Sequence, residues 1–120
     1  MKQAHDPEPY LPLRPNWFHI MAVLADGEQH GYAIMQQVQE RTGGKVRLWP
    51  ATLYGAIKKL LDEELITELF ERPSAADDDA RRRYYRLTPL GHAVLSAEVA
   101  RLRELVRFAA AGVRKAEGNV

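Results

Sequence analysis

The chain has 120 residues, 46% of them hydrophobic and 28% charged, with a net charge of +1 and no cysteine. That length supports one domain with a real core but not two, and the missing cysteines exclude disulfides and thiolate metal sites. No apolar run approaches the ~20 residues of a membrane span, and Met1 to Pro7 lack an apolar signal core, so a cytoplasmic location with no membrane partner is expected.

Four of the seven prolines (Pro7, Pro9, Pro12, Pro15) crowd the first fifteen residues. Proline interrupts a helix interior, so residues 1–14 are expected to be an extended or disordered arm. Pro15 then suits the first turn of a helix. Trp17, Ile20, Met21 and Leu24 recur at helical spacing, and Asp26-Gly27 ends the segment. A second helix is predicted from His30 to Arg41, with His30 as its cap and Ala33, Ile34, Met35 and Val38 facing inward. Gly43-Gly44 supplies the backbone freedom for a left-handed cap. Lys45 to Leu48 alternate polar and apolar side chains and are expected to form a short strand.

A third helix is predicted from Pro50 to Glu64. At 100° per residue, Leu53, Ile57, Leu60 and Leu61 share one face, and Ala51, Gly55, Lys58 and Asp62 lie opposite, flanked by Thr52, Tyr54 and Lys59. Ala51 and Gly55 are too small to hold this helix off a groove floor. Glycine costs a helix about 1 kcal/mol relative to alanine, so a mid-helix Gly55 needs a reason, and close approach by another surface is one. Asp62 would repel phosphate, which assigns the groove to the N-terminal half of the helix. A hairpin follows: Leu65 to Phe70, a turn within Pro73 to Ala80, and a basic-aromatic strand from Arg81 to Thr88. A helix followed by such a hairpin describes a recognition helix and a wing.

Charge is segregated along this stretch. Residues 45–59 carry Lys45, Arg47, Lys58 and Lys59 without an acid, and residues 81–86 carry Arg81, Arg82, Arg83 and Arg86 without one. Between them, residues 62–79 hold eight acids against Arg72 alone. Such a distribution builds a basic face despite a near-zero total. The helix is expected to offer Thr52, Tyr54 and Lys58 to base edges in the major groove of double-stranded DNA. The wing arginines Arg81, Arg82 and Arg83 are expected on phosphate or in the minor groove. Tyr32, Ala51, Gly55 and Lys59 complete the candidate DNA-binding set.

Thr88-Pro89 starts the last helix, a hydroxyl cap followed by proline at the first position. It is predicted to run to about residue 116. Leu95, Val99, Leu102, Val106, Ala109 and Val113 are spaced 4, 3, 4, 3, 4, a heptad seam. So long a helix exceeds what the small domain covers, and a partner helix is the simplest cover. The fold expected is mainly α with a small β-hairpin: a winged helix-turn-helix over residues 15–88 and a dimerisation helix over residues 89–116.

Other constellations carry less. The four histidines show no metal-ligand spacing. Asp77-Asp78-Asp79 lacks the spacing of a calcium loop and reads as a solvated turn. Ser74 and Ser96 have no nearby base, and no glycine-rich phosphate loop is present. No metal, cofactor or catalysis is therefore expected. Trp17, Trp49 and Phe108 are the aromatic residues suited to a ligand pocket, with core or interface packing as the plainer alternative for Trp17 and Phe108, and core packing or DNA contact as the alternatives for Trp49.

The joint pattern resembles the PadR family of winged-helix transcriptional regulators over residues 13–100. The motifs are His30-Gly31-Tyr32 leading to Gly43-Gly44, then Ala51-Thr52-Leu53-Tyr54, then Arg82-Arg83-Tyr84-Tyr85-Arg86-Leu87-Thr88 with Gly91. The resemblance implies a homodimer joined by the last helix, a pseudo-palindromic operator, and repression relieved by a small-molecule effector. Ala51 stands where the family has glycine, and Trp49-Pro50 where a small polar cap is common. The single C-terminal helix is similar to the short-tailed branch, and no motif defines ligand residues to carry over. The alternative reading is a winged-helix interaction module that does not bind DNA.

Overall fold

The computed structural model describes residues 6–69 and 83–118. Its elements are a 3-10 turn (Glu8–Tyr10), α1 (Pro15–Leu24), β1 (Gln29–His30), α2 (Gly31–Arg41), α3 (Pro50–Asp62), β2 (Ile66–Leu69), β3 (Tyr84–Leu87) and α4 (Pro89–Gly118). This is the mainly α architecture expected, with one addition. The hairpin gains a third strand, so the sheet order is β1-β3-β2, all antiparallel.

Proline stands in the first turn of α1 and α3, where its fixed φ favours the helix and its missing N–H loses nothing. Gly43 and Gly44 adopt φ of +64° and +80°, and their N–H groups bond to Glu40 and Gln39 carbonyls, closing α2 as expected. Thr42 pins the turn that follows: its Oγ1 donates to the Val38 carbonyl at 2.8 Å and accepts from the Val46 N–H at 3.0 Å. The strand expected at Lys45 to Leu48 does not form; this segment is the α2–α3 connection, and Leu48 is buried from it. Helix α3 ends at Asp62, two residues early, because Glu64 turns into the left-handed region (φ 61°) and the Leu65 N–H returns to the Leu60 carbonyl.

One core joins every layer. Ile20 and Met21 of α1, Ile34 and Val38 of α2, Leu53, Ile57 and Leu60 of α3, Leu65, Ile66, Tyr85, and Val94 and Leu95 of α4 form one buried cluster. Thr88 ties the wing to α4: its hydroxyl donates to the Glu64 carbonyl at 2.6 Å and accepts the Gly91 N–H at 2.9 Å.

The arm is built into the domain from Asp6 onward. It carries the 3-10 turn, Leu13 is buried, and the Leu13 N–H donates to Glu98 Oε2 at 3.2 Å. Glu98 is itself buried and receives Arg101 Nε at 2.7 Å and a second Arg101 nitrogen at 2.9 Å. These bonds, chiefly those from Arg101, hold the Glu98 carboxyl below its ordinary range against the opposing effect of burial.

Helix α4 leaves the domain. Thirty residues long, it spans about 45 Å at 1.5 Å per residue. The radius of gyration is 17.2 Å, against about 14 Å for a compact chain of this length.

Candidate nucleic-acid interface

Helix α3 separates its faces cleanly. Leu53, Ile57 and Leu60 are buried, while Ala51, Thr52, Tyr54, Gly55, Lys58 and Lys59 are exposed. A Cβ at Gly55 would meet nothing within 4 Å, so the helix surface there is open in the free protein. Lys58 pairs with Asp62 at 3.8 Å across one turn, both well exposed, an arrangement worth a few tenths of a kcal/mol and readily given up.

A groove of about 420 Å³ runs beside this face, lined from α3 by Ala51, Thr52, Gly55, Ala56 and Lys59. Its opposite wall is Arg14, Pro15, Asn16 and Trp17 at the start of α1. The Arg14 guanidinium lies 4.9 Å from the Trp17 ring centroid, and Arg47 lies 5.3 Å from that of Trp49 at the head of α3. Arg14, Asn16 and Arg47 were outside the expected set. Arg47 belongs to the basic run at residues 45–59, whereas only their neighbours in space mark Arg14 and Asn16.

On the wing, Arg83 is exposed and pairs with Glu68 of the facing strand at 3.1 Å. Arg86 pairs with Glu28 at 3.5 Å. Arg81 and Arg82, and the turn with its aspartates, lie outside the described residues. Tyr32 is 57% exposed on α2. The three aromatic residues assigned to a pocket sit on separate elements: Trp17 lines the groove beside α3, Trp49 precedes α3 with 61% exposure, and Phe108 on α4 is 80% exposed.

Of the seam residues, Leu95 is buried within the domain core and is not part of an exposed surface. Val99 and Leu102 are partly covered; Val106, Ala109 and Val113 are exposed. Phe18, Val99, Leu102, Arg103, Val106 and Arg107 line an apolar groove of about 390 Å³ between α1 and α4.

The model of the transcriptional regulator PadR-like family matches residues 20–97. The chain belongs to the PadR-like family. It is 35% identical over 102 residues to the transcriptional regulator Rv3488 of Mycobacterium tuberculosis, covering 84% of this chain and 88% of that protein. It is 32% identical over 90 residues to protein X of Lysinibacillus sphaericus, covering 72% of this chain and 80% of that one. Among solved structures it is similar to Bacillus subtilis PadR in complex with operator DNA, with 27% identity and a TM-score of 0.62 over 73% of this chain. The match spans 47% of that PadR chain. This PadR-like protein is thus a transcriptional regulator with a winged-helix fold, and not an enzyme. Among the described residues, no helix is long and apolar enough to cross a membrane.

The PadR-like motifs now have physical reasons. His30 Nδ1 accepts the Ala33 N–H at 3.2 Å, capping α2, and its ring meets Tyr84 edge-on at 5.4 Å, joining α2 to the wing. Gly31 leaves room for Tyr54: a Cβ there would come within 2.8 Å of the Tyr54 ring. Gly91 leaves room for the backbone of Leu65, whose carbonyl carbon a Cβ would approach to 2.9 Å.

Proposed function

We propose that the chain is a homodimeric repressor, acting in the cytoplasm, that binds a pseudo-palindromic operator in double-stranded DNA. The observation that carries this reading is the open outer face of α3, with small residues at its centre and lysines at its edge. Thr52, Tyr54 and Lys58 meet base edges, Ala51 and Gly55 let the helix seat deeply, and Lys59 and Tyr32 meet the backbone. The wing adds Arg81, Arg82 and Arg83. The structural likeness to Bacillus subtilis PadR in complex with operator DNA supports duplex DNA as the partner.

The dimer is supported by α4. Val106, Phe108 and Val113 are 65%, 80% and 56% exposed on a helix that projects from the domain, and exposed apolar surface of this kind marks an interface. A partner helix along Val99, Leu102, Val106, Ala109 and Val113 covers it. The apolar groove against Phe18 opens onto the same surface, which supports a small-molecule effector acting there to relieve repression. Phe108 sits beside that surface.

Duplex DNA titrated at increasing salt tests the reading. A dimer making ~6–10 phosphate contacts loses on the order of 10³–10⁵ in affinity between 50 and 200 mM salt. Replacing Arg82 and Arg83 by alanine should weaken binding to every sequence and flatten that dependence. A protein that binds neither random nor selected duplex at low salt is an interaction module instead.

A further inference from the structure

We infer that Arg14, held on the face of Trp17, is a DNA-backbone contact that clamps the phosphate strand running alongside α3, with Lys59 opposite it. This rests on the assignment of α3 to the groove and adds a second contact surface, at the start of α1.

Three observations lead there. The first is position. The groove beside α3 is walled on one side by Arg14, Asn16 and Trp17, and on the other by Ala51, Thr52, Gly55 and Lys59. A duplex seated on the outer face of α3 brings a sugar-phosphate strand past that groove. The second is charge. The ionisable residues lining it are Arg14 and Lys59, both cations, with no carboxylate among the lining residues. Among the described residues Arg14 makes no ion pair, whereas Lys58, Arg83 and Arg86 each face an acid. The site is complementary to an anion, and the anion repeated along a duplex is phosphate.

The third is order. Arg14 is exposed, but it is not loose. Its guanidinium lies 4.9 Å from the Trp17 centroid, which favours one placement of a long side chain. Leu13, the preceding residue, is buried and bonded through its N–H to the buried Glu98 of α4. The Arg14 carbonyl accepts the Phe18 N–H at 2.9 Å. A planar guanidinium fixed in this way presents its donors to a phosphate with less ordering left to do on binding.

Arg14→Gln removes the charge on an exposed side chain, and Arg14→Lys keeps it. Both are titrated with random-sequence duplex across a salt series, beside the unaltered protein, and thermal melts check folding. Each phosphate contact contributes about 0.9 to the slope of log affinity against log salt. Arg14→Gln should therefore lower that slope by about 0.9 per bound protomer and weaken all sequences alike, and Arg14→Lys should preserve it. A folded Arg14→Gln protein with the slope of the unaltered one overturns the proposal while leaving the α3 assignment in place. An unaltered protein that binds no duplex overturns both. A second readout is independent of folding in the glutamine variant. In a Trp49→Phe protein Trp17 is the remaining tryptophan, and its emission should shift on saturation with duplex; emission blind to bound DNA contradicts the placement.

Discussion

Two glycines with similar surroundings on paper differ in what a methyl group would do. At Gly91 a Cβ would run into the Leu65 carbonyl, which is backbone and already accepts the Thr88 N–H. Nothing there can swing aside, so Gly91→Ala should lower unfolding stability by about 1–3 kcal/mol, as overpacking does. At Gly31 the obstacle is the far end of the Tyr54 side chain, itself 47% exposed. Gly31→Ala should cost under ~1 kcal/mol because the ring moves out, yet weaken operator binding by displacing Tyr54 from the α3 face. Chemical denaturation of both variants separates the two; equal losses would mean that Tyr54 is fixed against Gly31. Neither partner was legible in the sequence. Gly43 and Gly44 were, because a helix end explains them locally, whereas Gly31 and Gly91 answer to residues 23 and 26 positions away.

At the scale of elements, the four helices were readable from their punctuation: proline at Pro15, Pro50 and Pro89, the glycine pair, and apolar spacing. Strand β1 was not. Gln29 and His30 have no strand-like pattern of their own and are held by pairing with Tyr85 and Tyr84. Conversely, Lys45 to Leu48 alternate correctly but have no partner strand, and alternation alone does not make one. Glu98 was also hidden. A single glutamate on a long helix reads as solvated, and its burial depends on Leu13, 85 residues earlier. It links the arm to α4 with a measurable signature. Its folded-state pKa is held below its ordinary value of 4.5, so the bonded carboxylate adds stability above that value, and the contribution is lost as pH falls through the lower, folded-state pKa. Glu98→Gln should be less stable at neutral pH by about 1–2 kcal/mol, since charge-assisted bonds to Arg101 are lost. It should also show a flatter decline in stability below about pH 4.5. Melts from pH 3 to 7 check this (~0.5-unit steps suffice); parallel curves for the two proteins would contradict it.

The whole molecule is a small winged domain with a helix that outgrows it. The heptad spacing is visible in the sequence, and the structure buries its first residue, Leu95, in the core of its own domain. The surface left for a partner begins at Val99. Replacing Leu102 and Val106 together by glutamate should leave the domain folded and yield monomer, because unpaired charge would be buried in the interface. Sedimentation at micromolar concentration reads the outcome, and a dimeric double variant would mean that another surface joins the protomers. Gly55 lies in the middle of the face of α3 proposed to enter the DNA groove. In the free protein a Cβ there meets nothing within 4 Å, so Gly55→Leu should melt at or above the temperature of the unaltered protein, glycine being the poorer helix former by about 1 kcal/mol. Titration of that variant with a selected operator is the most direct measurement. Normal melting with specific binding abolished by a clash at the groove floor is expected; normal melting with undiminished operator affinity would show that this face of α3 does not enter the groove.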